Sequence, residues 1–129
     1  MELNRLWGSE IMKDTLLDAN FLTMPVQFHI DILSEIKKIV PDAYFVTITQ
    51  IVNELKKMDT NAAQFGLQLL SLVEIKEEPG KADDALLSYA KKHSAVMCTN
   101  DKELKKRCLE EKIPVIFMRK KKTLEIQGK

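Results

Sequence analysis

Asp18, Glu54, Asp83 and Asp101 each follow a short apolar, β-prone run, where that run gives way to a helix-like pattern. In open parallel sheets ligands gather beyond the carboxyl ends of the strands, so acids at these junctions are the first groups to ask about. Several carboxylates converging on one sheet edge repel one another unless cations neutralise them. Mg²⁺ and Mn²⁺ suit such all-oxygen ligation, keep several of their waters and hold phosphate oxygens. A site of that kind orients and activates water, and a pair of ions stabilises both the attacking and the leaving oxygen. The chemistry predicted is phosphodiester hydrolysis.

Helical angles refine the choice of acid. At about 100° per residue, Asp83 shares a stripe with Leu86, Leu87 and Ala90, whereas Asp84 points away beside Lys91. The same geometry sets Asp101 with Leu104 and Cys108 on the inward face, and leaves Glu54 at the margin of an apolar face beside Ile51 and Met58. Each acid also has a plain structural explanation: a turn residue, an N-cap, a favourable charge at a helix start, or a solvated helix acid. The signal lies in their joint position at four successive junctions.

The elements that must place these acids follow from hydrophobic periodicity. Thr15–Asp18 reads as a short buried strand, and Pro25 opens a helical stretch carrying Ile32, Leu33, Ile36, Ile39 and Val40, ended by Pro41-Asp42. Tyr44-Phe45-Val46 is β-prone, and Thr47 with Gln50 forms a capping box for a helix bearing Ile48, Ile51, Val52 and Leu55. A helix over Asn61–Leu70, weakened by Gly66, precedes a strand over Leu72–Ile75 and a turn at Pro79-Gly80. Ala82–His93 is helical, Ala95–Cys98 a strand, Lys102–Glu111 a helix capped by Asn100, and Val115–Met118 a strand. Thr123–Ile126 adds a last edge strand. Strands alternating with helices at this spacing give a three-layer α/β sandwich, with a parallel sheet of four to five strands flanked by helices.

Composition sets the outer bounds. A chain of 129 residues, 45% hydrophobic and 30% charged, is expected to form one globular domain. We assign residues 13–129 to that domain and residues 1–12 to an N-terminal extension, whose Trp7 reads as a packing group. Glu2, Arg5, Glu10 and Lys13 interrupt any leader-like apolar run, and no window suggests a membrane span, so a cytoplasmic location is expected. Two cysteines, Cys98 and Cys108, make neither a disulfide framework nor a zinc site and read as buried hydrophobes. Isolated glycines provide no phosphate loop. His29, on the apolar face of its helix, reads as a core or interface residue, and Asp31, opposite Ile32 and Ile36, as a solvated acid.

The motifs around the acids resemble those of the PIN-domain family of metal-dependent ribonucleases, from about residue 13 to 126. LLDANFL (16–22) is similar to the opening motif, IVNELKK (51–57) to the second, KADDALLSYA (81–90) to the third, and TNDKELKKR (99–107) with IPVIF (113–117) to the fourth. The resemblance implies Asp18, Asp83 and Asp101 as ligands of Mg²⁺ or Mn²⁺, Glu54 completing the catalytic pocket, and Asn20, Thr99 and Asn100 in support. It also implies RNA as substrate, frequent homodimerisation, and an antitoxin or ribosome-assembly partner. QFHIDIL (27–33) and the tail after Arg119 look more like the archaeal single-domain and ribosomal-RNA-processing branches than like typical VapC toxins.

A net charge of +1 conceals a partition. Residues 1–101 hold 10 basic and 15 acidic groups, whereas residues 102–129 hold 10 basic and 4 acidic. The runs Lys105-Lys106-Arg107 and Arg119-Lys120-Lys121-Lys122 flank the predicted acidic edge and are candidates for RNA-backbone contact. Two rival readings remain. A receiver-like phospho-signalling domain also gathers acids and Mg²⁺ at a parallel sheet's edge, but needs an Asp at the end of the central strand, where this chain has Glu74 within its strand. A non-catalytic PIN-like RNA-binding or assembly module has the same acids without useful turnover.

Overall fold

Leu16 and Leu17 are fully buried, and the strand that holds them lies between two parallel neighbours. The computed structural model describes residues 12–128. The N-terminal extension up to residue 11, with Trp7, lies outside the described residues. From strand β1 (Lys13–Leu17) the chain passes through helices α1 (Ala19–Leu22), α2 (Met24–Phe28) and α3 (Ile32–Ile39) to β2 (Ala43–Ile48). Next come α4 (Thr49–Lys57), α5 (Asn61–Leu69), a 3-10 turn (Leu70–Leu72) and β3 (Glu74–Lys76). The second half alternates α6 (Ala82–His93), β4 (Val96–Cys98), α7 (Lys102–Glu110) and β5 (Val115–Arg119), and ends with β6 (Thr123–Gln127).

The strands form one sheet in the order β3-β2-β1-β4-β5-β6, parallel except for β6. Crossovers from β1 to β2 and from β2 to β3 run one way across the sheet, and those from β3 to β4 and from β4 to β5 run the other. Right-handed connections therefore put α3–α5 on one face and α6–α7 on the opposite face. Contacts agree: α6 packs on α7 and β1, α7 on β5, and α3 reaches β6. The three-layer sandwich is as expected. The last strand lies at the edge as expected, and its direction is the difference: three residues after Arg119 cannot make a crossover, which takes a dozen or more, so β6 returns antiparallel.

Three local expectations change. The helix expected from Pro25 is two helices, because His29 adopts a left-handed conformation (φ 53°) at the end of α2 and Asp31 caps α3 through Ser34. His29 is exposed there and not a core residue, whereas Asp31 is the solvated acid expected. Thr47 and Gln50 form no capping box: Thr47 ends inside β2 and donates to the Leu17 carbonyl at 2.7 Å. Asp101, not Asn100, caps α7, accepting from the N–H groups of Glu103 and Leu104.

Gly66 is more than a weak point of α5. A Cβ there would lie 2.8 Å from the carbonyl oxygen of Leu22, so glycine lets α5 seat directly on α1. Cys98 and Cys108 are buried as expected, and desolvation pushes both thiols up. Among the described residues, no helix is long and apolar enough to cross a membrane.

Candidate active site

The crossover direction reverses between β1 and β4, and the crevice at the carboxyl ends of those two strands is where doubly wound sheets bind ligands. Asp18 sits directly after β1, and Thr99, Asn100 and Asp101 directly after β4. The two segments are joined by side chains. The Thr99 hydroxyl donates to Asp18 Oδ2 at 2.6 Å, and the Asn20 amide donates to the same oxygen at 3.3 Å. Asn20 Oδ1 accepts the backbone N–H of Asn100 at 3.0 Å, and Thr99 Oγ1 accepts that of Asp101 at 3.1 Å. Thr99 and Asn20 thus reach Asp18 with their side chains, whereas Asn100 joins this network through its backbone N–H alone.

Asn100 extends the network outward. Its Oδ1 accepts the Met118 backbone N–H at 2.8 Å and its Nδ2 lies 3.0 Å from Met24 Sδ. The side chain thus ties the end of β5 to the loop after β4, and α2 to both.

Asp18 is 7% exposed, and Ala19 N–H donates to its Oδ1 at 2.8 Å. Burial pushes its carboxyl up to about 6, helped by the charges of Asp83 and Glu54 and opposed by the Thr99 and Ala19 hydrogen bonds. Among the described residues every hydrogen-bond donor to it is neutral, and none of them offers the ionised form a basic side chain. Asp83, in the first turn of α6, is half-buried and also raised, by desolvation first and then by the charge of Asp101, against the pull of Arg107. Lys81 occupies the N-cap position of α6, so capping does not explain Asp83. Asp84 points outward, as the helical angles predict, and its ion pair is with Arg107 of α7 at 2.8 Å.

Glu54 lies on the exposed rim, and so does Asp101, which is not on the inward face expected of it because it precedes the first turn of α7 and caps it. Glu54 acts on Asp18 through space, and Asp101 on Asp83, so the four predicted acids share one electrostatic field. Among the described residues no three Asp, Glu, His or Cys side chains stand close enough to form a ready-made metal cage. Like charges held apart are the expected state of uncompensated carboxylates. The donor chemistry, carboxylates at one sheet edge with amide and hydroxyl support, fits a hard divalent cation.

Gln50 is a site residue that sequence reasoning cast in the wrong role. Its amide nitrogen donates to the carbonyls of Glu78 and Gly80 at 2.6 and 2.7 Å. That staple fastens the loop leading to Asp83 onto the helix that carries Glu54. Backbone carbonyls leave no trace in residue type, so no motif could have signalled it.

The predicted basic contacts divide into two groups. Arg107 is paired with Asp84, Arg119 with Glu125 at 2.6 Å, and the Lys105 ammonium lies 3.4 Å over the Phe117 ring. Lys106, Lys120 and Lys121 are exposed. Lys120 and Lys121 form the tip of the β5–β6 hairpin, both with positive φ (54° and 59°).

Fold and site together define a doubly wound α/β protein with carboxylates gathered at its switch point. The sequence profile of the PIN-like domain matches residues 15–121, and the chain belongs to that family. It is similar to Ribonuclease VapC4 of Methanocaldococcus jannaschii, at 32% identity over 86% of this chain and 94% of the relative. It is also similar to Ribonuclease VapC9 of Archaeoglobus fulgidus, at 26% identity over 98% of each. Among solved structures, the PIN domain endonuclease Utp24 superposes with a TM-score of 0.78 at 20% identity, covering 90% of this chain and 92% of that one. That last likeness is one of fold. The strand order also excludes the receiver-like reading, because β3 lies at the sheet edge and not at its centre.

Proposed function

We propose that this chain is an endoribonuclease that hydrolyses RNA phosphodiester bonds with the help of Mg²⁺ or Mn²⁺. The observation that carries this reading is Asp18: a buried carboxylate at the switch point, hydrogen-bonded among the described residues by neutral donors and facing the charges of Asp83 and Glu54. A group so placed is costly to ionise unless a cation arrives. The names of the relatives, two VapC ribonucleases among them, support RNA as the substrate.

Asp18, Asp83 and Asp101 hold the divalent ion, directly or through water, with Glu54 completing the pocket. The ion supplies water activation and charge neutralisation at the scissile phosphate. Thr99 and the Ala19 N–H fix the two oxygens of Asp18, which keeps the ligand from swinging as charge changes. Asn20 braces Asp18 against the Asn100 backbone, and Gln50 holds the loop before Asp83. Lys106, Lys120 and Lys121 meet the RNA backbone, with Lys105, Arg107 and Arg119 contributing from their present partners. A homodimer, an antitoxin or ribosome-assembly partner, and a cytoplasmic location belong to the same family-based reading.

Cleavage of RNA by the Asp18→Asn and Asp101→Asn variants in Mn²⁺ tests the proposal. Both should lose turnover while remaining folded. Parent-like cleavage by both overturns it.

A further inference from the structure

Because β6 is added antiparallel to β5, the sheet extends one strand beyond α7, the last helix on its face. The notch between α7 and β6 has a volume of about 540 Å³ and is lined by Lys102, Lys105, Lys106, Leu109, Glu110 and Gln127. That lies within the range of roughly 300–1,000 Å³ that holds small ligands. One end adjoins the acids, since Lys102 follows Asp101 directly. Lys102, Lys105 and Lys106 stand at i, i+3 and i+4 and share one face of the helix. The Phe117 ring fixes the middle ammonium by a cation–π contact. The far end is different in character: Leu109 and the lysine stems are apolar, and Glu110 and Gln127 present acceptors.

We propose that this notch is a nucleotide subsite for the RNA residue next to the cleaved bond. It would place phosphate oxygens on the lysines and a base against Leu109, with the base edge toward Glu110 and Gln127. The inference rests on the ribonuclease reading above and adds where the strand goes. Cations at one end with an apolar wall and a carboxylate at the other match a phosphate joined to a neutral base. An acidic peptide would instead bring carboxylates against Glu110. A base lies against Leu109 only when it is free of a pairing partner, so unpaired RNA is the ligand class.

The test uses the full chain with Asp18→Asn, so that binding is measured without cleavage, and a fluorescent single-stranded oligoribonucleotide. In that background Lys102→Ala and Lys106→Ala should each weaken binding by about threefold to tenfold and lower the salt slope by about 0.7. Both side chains are exposed, so the fold should tolerate the changes, and the thermal melt of Lys106→Glu provides a second check. Lys37→Ala with Lys38→Ala, on the opposite face, should change affinity less than either notch variant. Parent-like affinity and salt slope in both notch variants overturn the subsite. So does tighter binding of a polyglutamate peptide than of RNA, lost on the same substitutions, which would mark the notch as a protein-docking site. The ribonuclease reading fails separately, through persistent cleavage by Asp18→Asn and Asp101→Asn.

Discussion

The Thr99 hydroxyl donates to Asp18 Oδ2 at 2.6 Å while accepting the Asp101 backbone N–H at 3.1 Å, so one oxygen aligns the segments carrying two of the acids. Two amide donors toward Thr99 Oγ1, from Asp101 and more distantly Asn20 at 3.4 Å, leave its own proton to point at Asp18. Hydrogen bonds to an ionised partner are worth about 1.5–3 kcal/mol.

Thr99→Val keeps the shape and removes that bond. The Asp18 carboxyl should rise further, because the lost bond lowers it at present. The pH at which cleavage reaches half its maximum should move up by about one unit, with kcat roughly twofold lower at pH 7 and roughly tenfold lower at about pH 5. A pH–rate profile in Mn²⁺ checks this, and an unshifted profile removes Thr99 from the mechanism.

Asp18 also sets a pH dependence of stability. Its folded value, about 6, lies above the ordinary 3.8, so the native chain binds more protons than the unfolded chain between those values. Stability contributed by this group is therefore present at low pH and lost as pH rises through about 6. Asp18→Asn should be more stable than the parent at pH 8, by on the order of 1–3 kcal/mol, and should lose that advantage near pH 4. Urea titrations at the two pH values measure the difference. An equal gap at both would mean that the charge is not the cause.

Metal affinity should follow the same group in the opposite sense. Protons compete for Asp18 below about pH 6, so Mn²⁺ binding should weaken steeply there and plateau above it. Calorimetric titration across pH, with Asp83→Asn as comparison, checks this. Binding that neither depends on pH nor changes in the variant would favour the non-catalytic module.

Gly66→Ala tests the seat of α5 on α1. Helix propensity alone predicts a gain of about 1 kcal/mol. The Leu22 carbonyl 2.8 Å from the new methyl predicts a loss of about 1–3 kcal/mol from overpacking, because that oxygen is backbone and cannot swing aside. The packing effect should win, and the denaturation midpoint should fall.

Asn100→Ala should unfasten the end of β5. It leaves the Met118 N–H without its acceptor and separates α2 from the loop after β4, at a cost of about 1–3 kcal/mol. Hydrogen exchange should quicken at Met118 before it does at Ile116, whose strand neighbours remain.

Much of the fold was legible because it follows from period and punctuation. Apolar spacing marks the helix over 82–93 and a strand over 95–98 that the structure trims by one residue, and helical angle alone separates Asp83 from Asp84. The misreadings share one cause: they concern groups whose partners are backbone atoms far away in sequence. Thr47 bonds Leu17, Gln50 bonds Glu78 and Gly80, and Asn100 bonds Met118, and none of these carbonyls or amides is encoded by a residue type. His29 was misplaced for a related reason. The helical pattern runs on through a position where the chain turns left-handed without glycine to announce it.

The hairpin tip presents such a case twice over. Lys120 and Lys121 occupy the two positions where a turn of this hand favours Asn-Gly, and each left-handed lysine costs on the order of 1 kcal/mol. Lys120→Asn with Lys121→Gly would relax the loop and discharge it in the same step. With these lysines on an RNA backbone, as proposed above, robustness and grip on a polyanion would pull the two positions in opposite directions. The tip is where a descendant of this protein could most readily exchange one for the other.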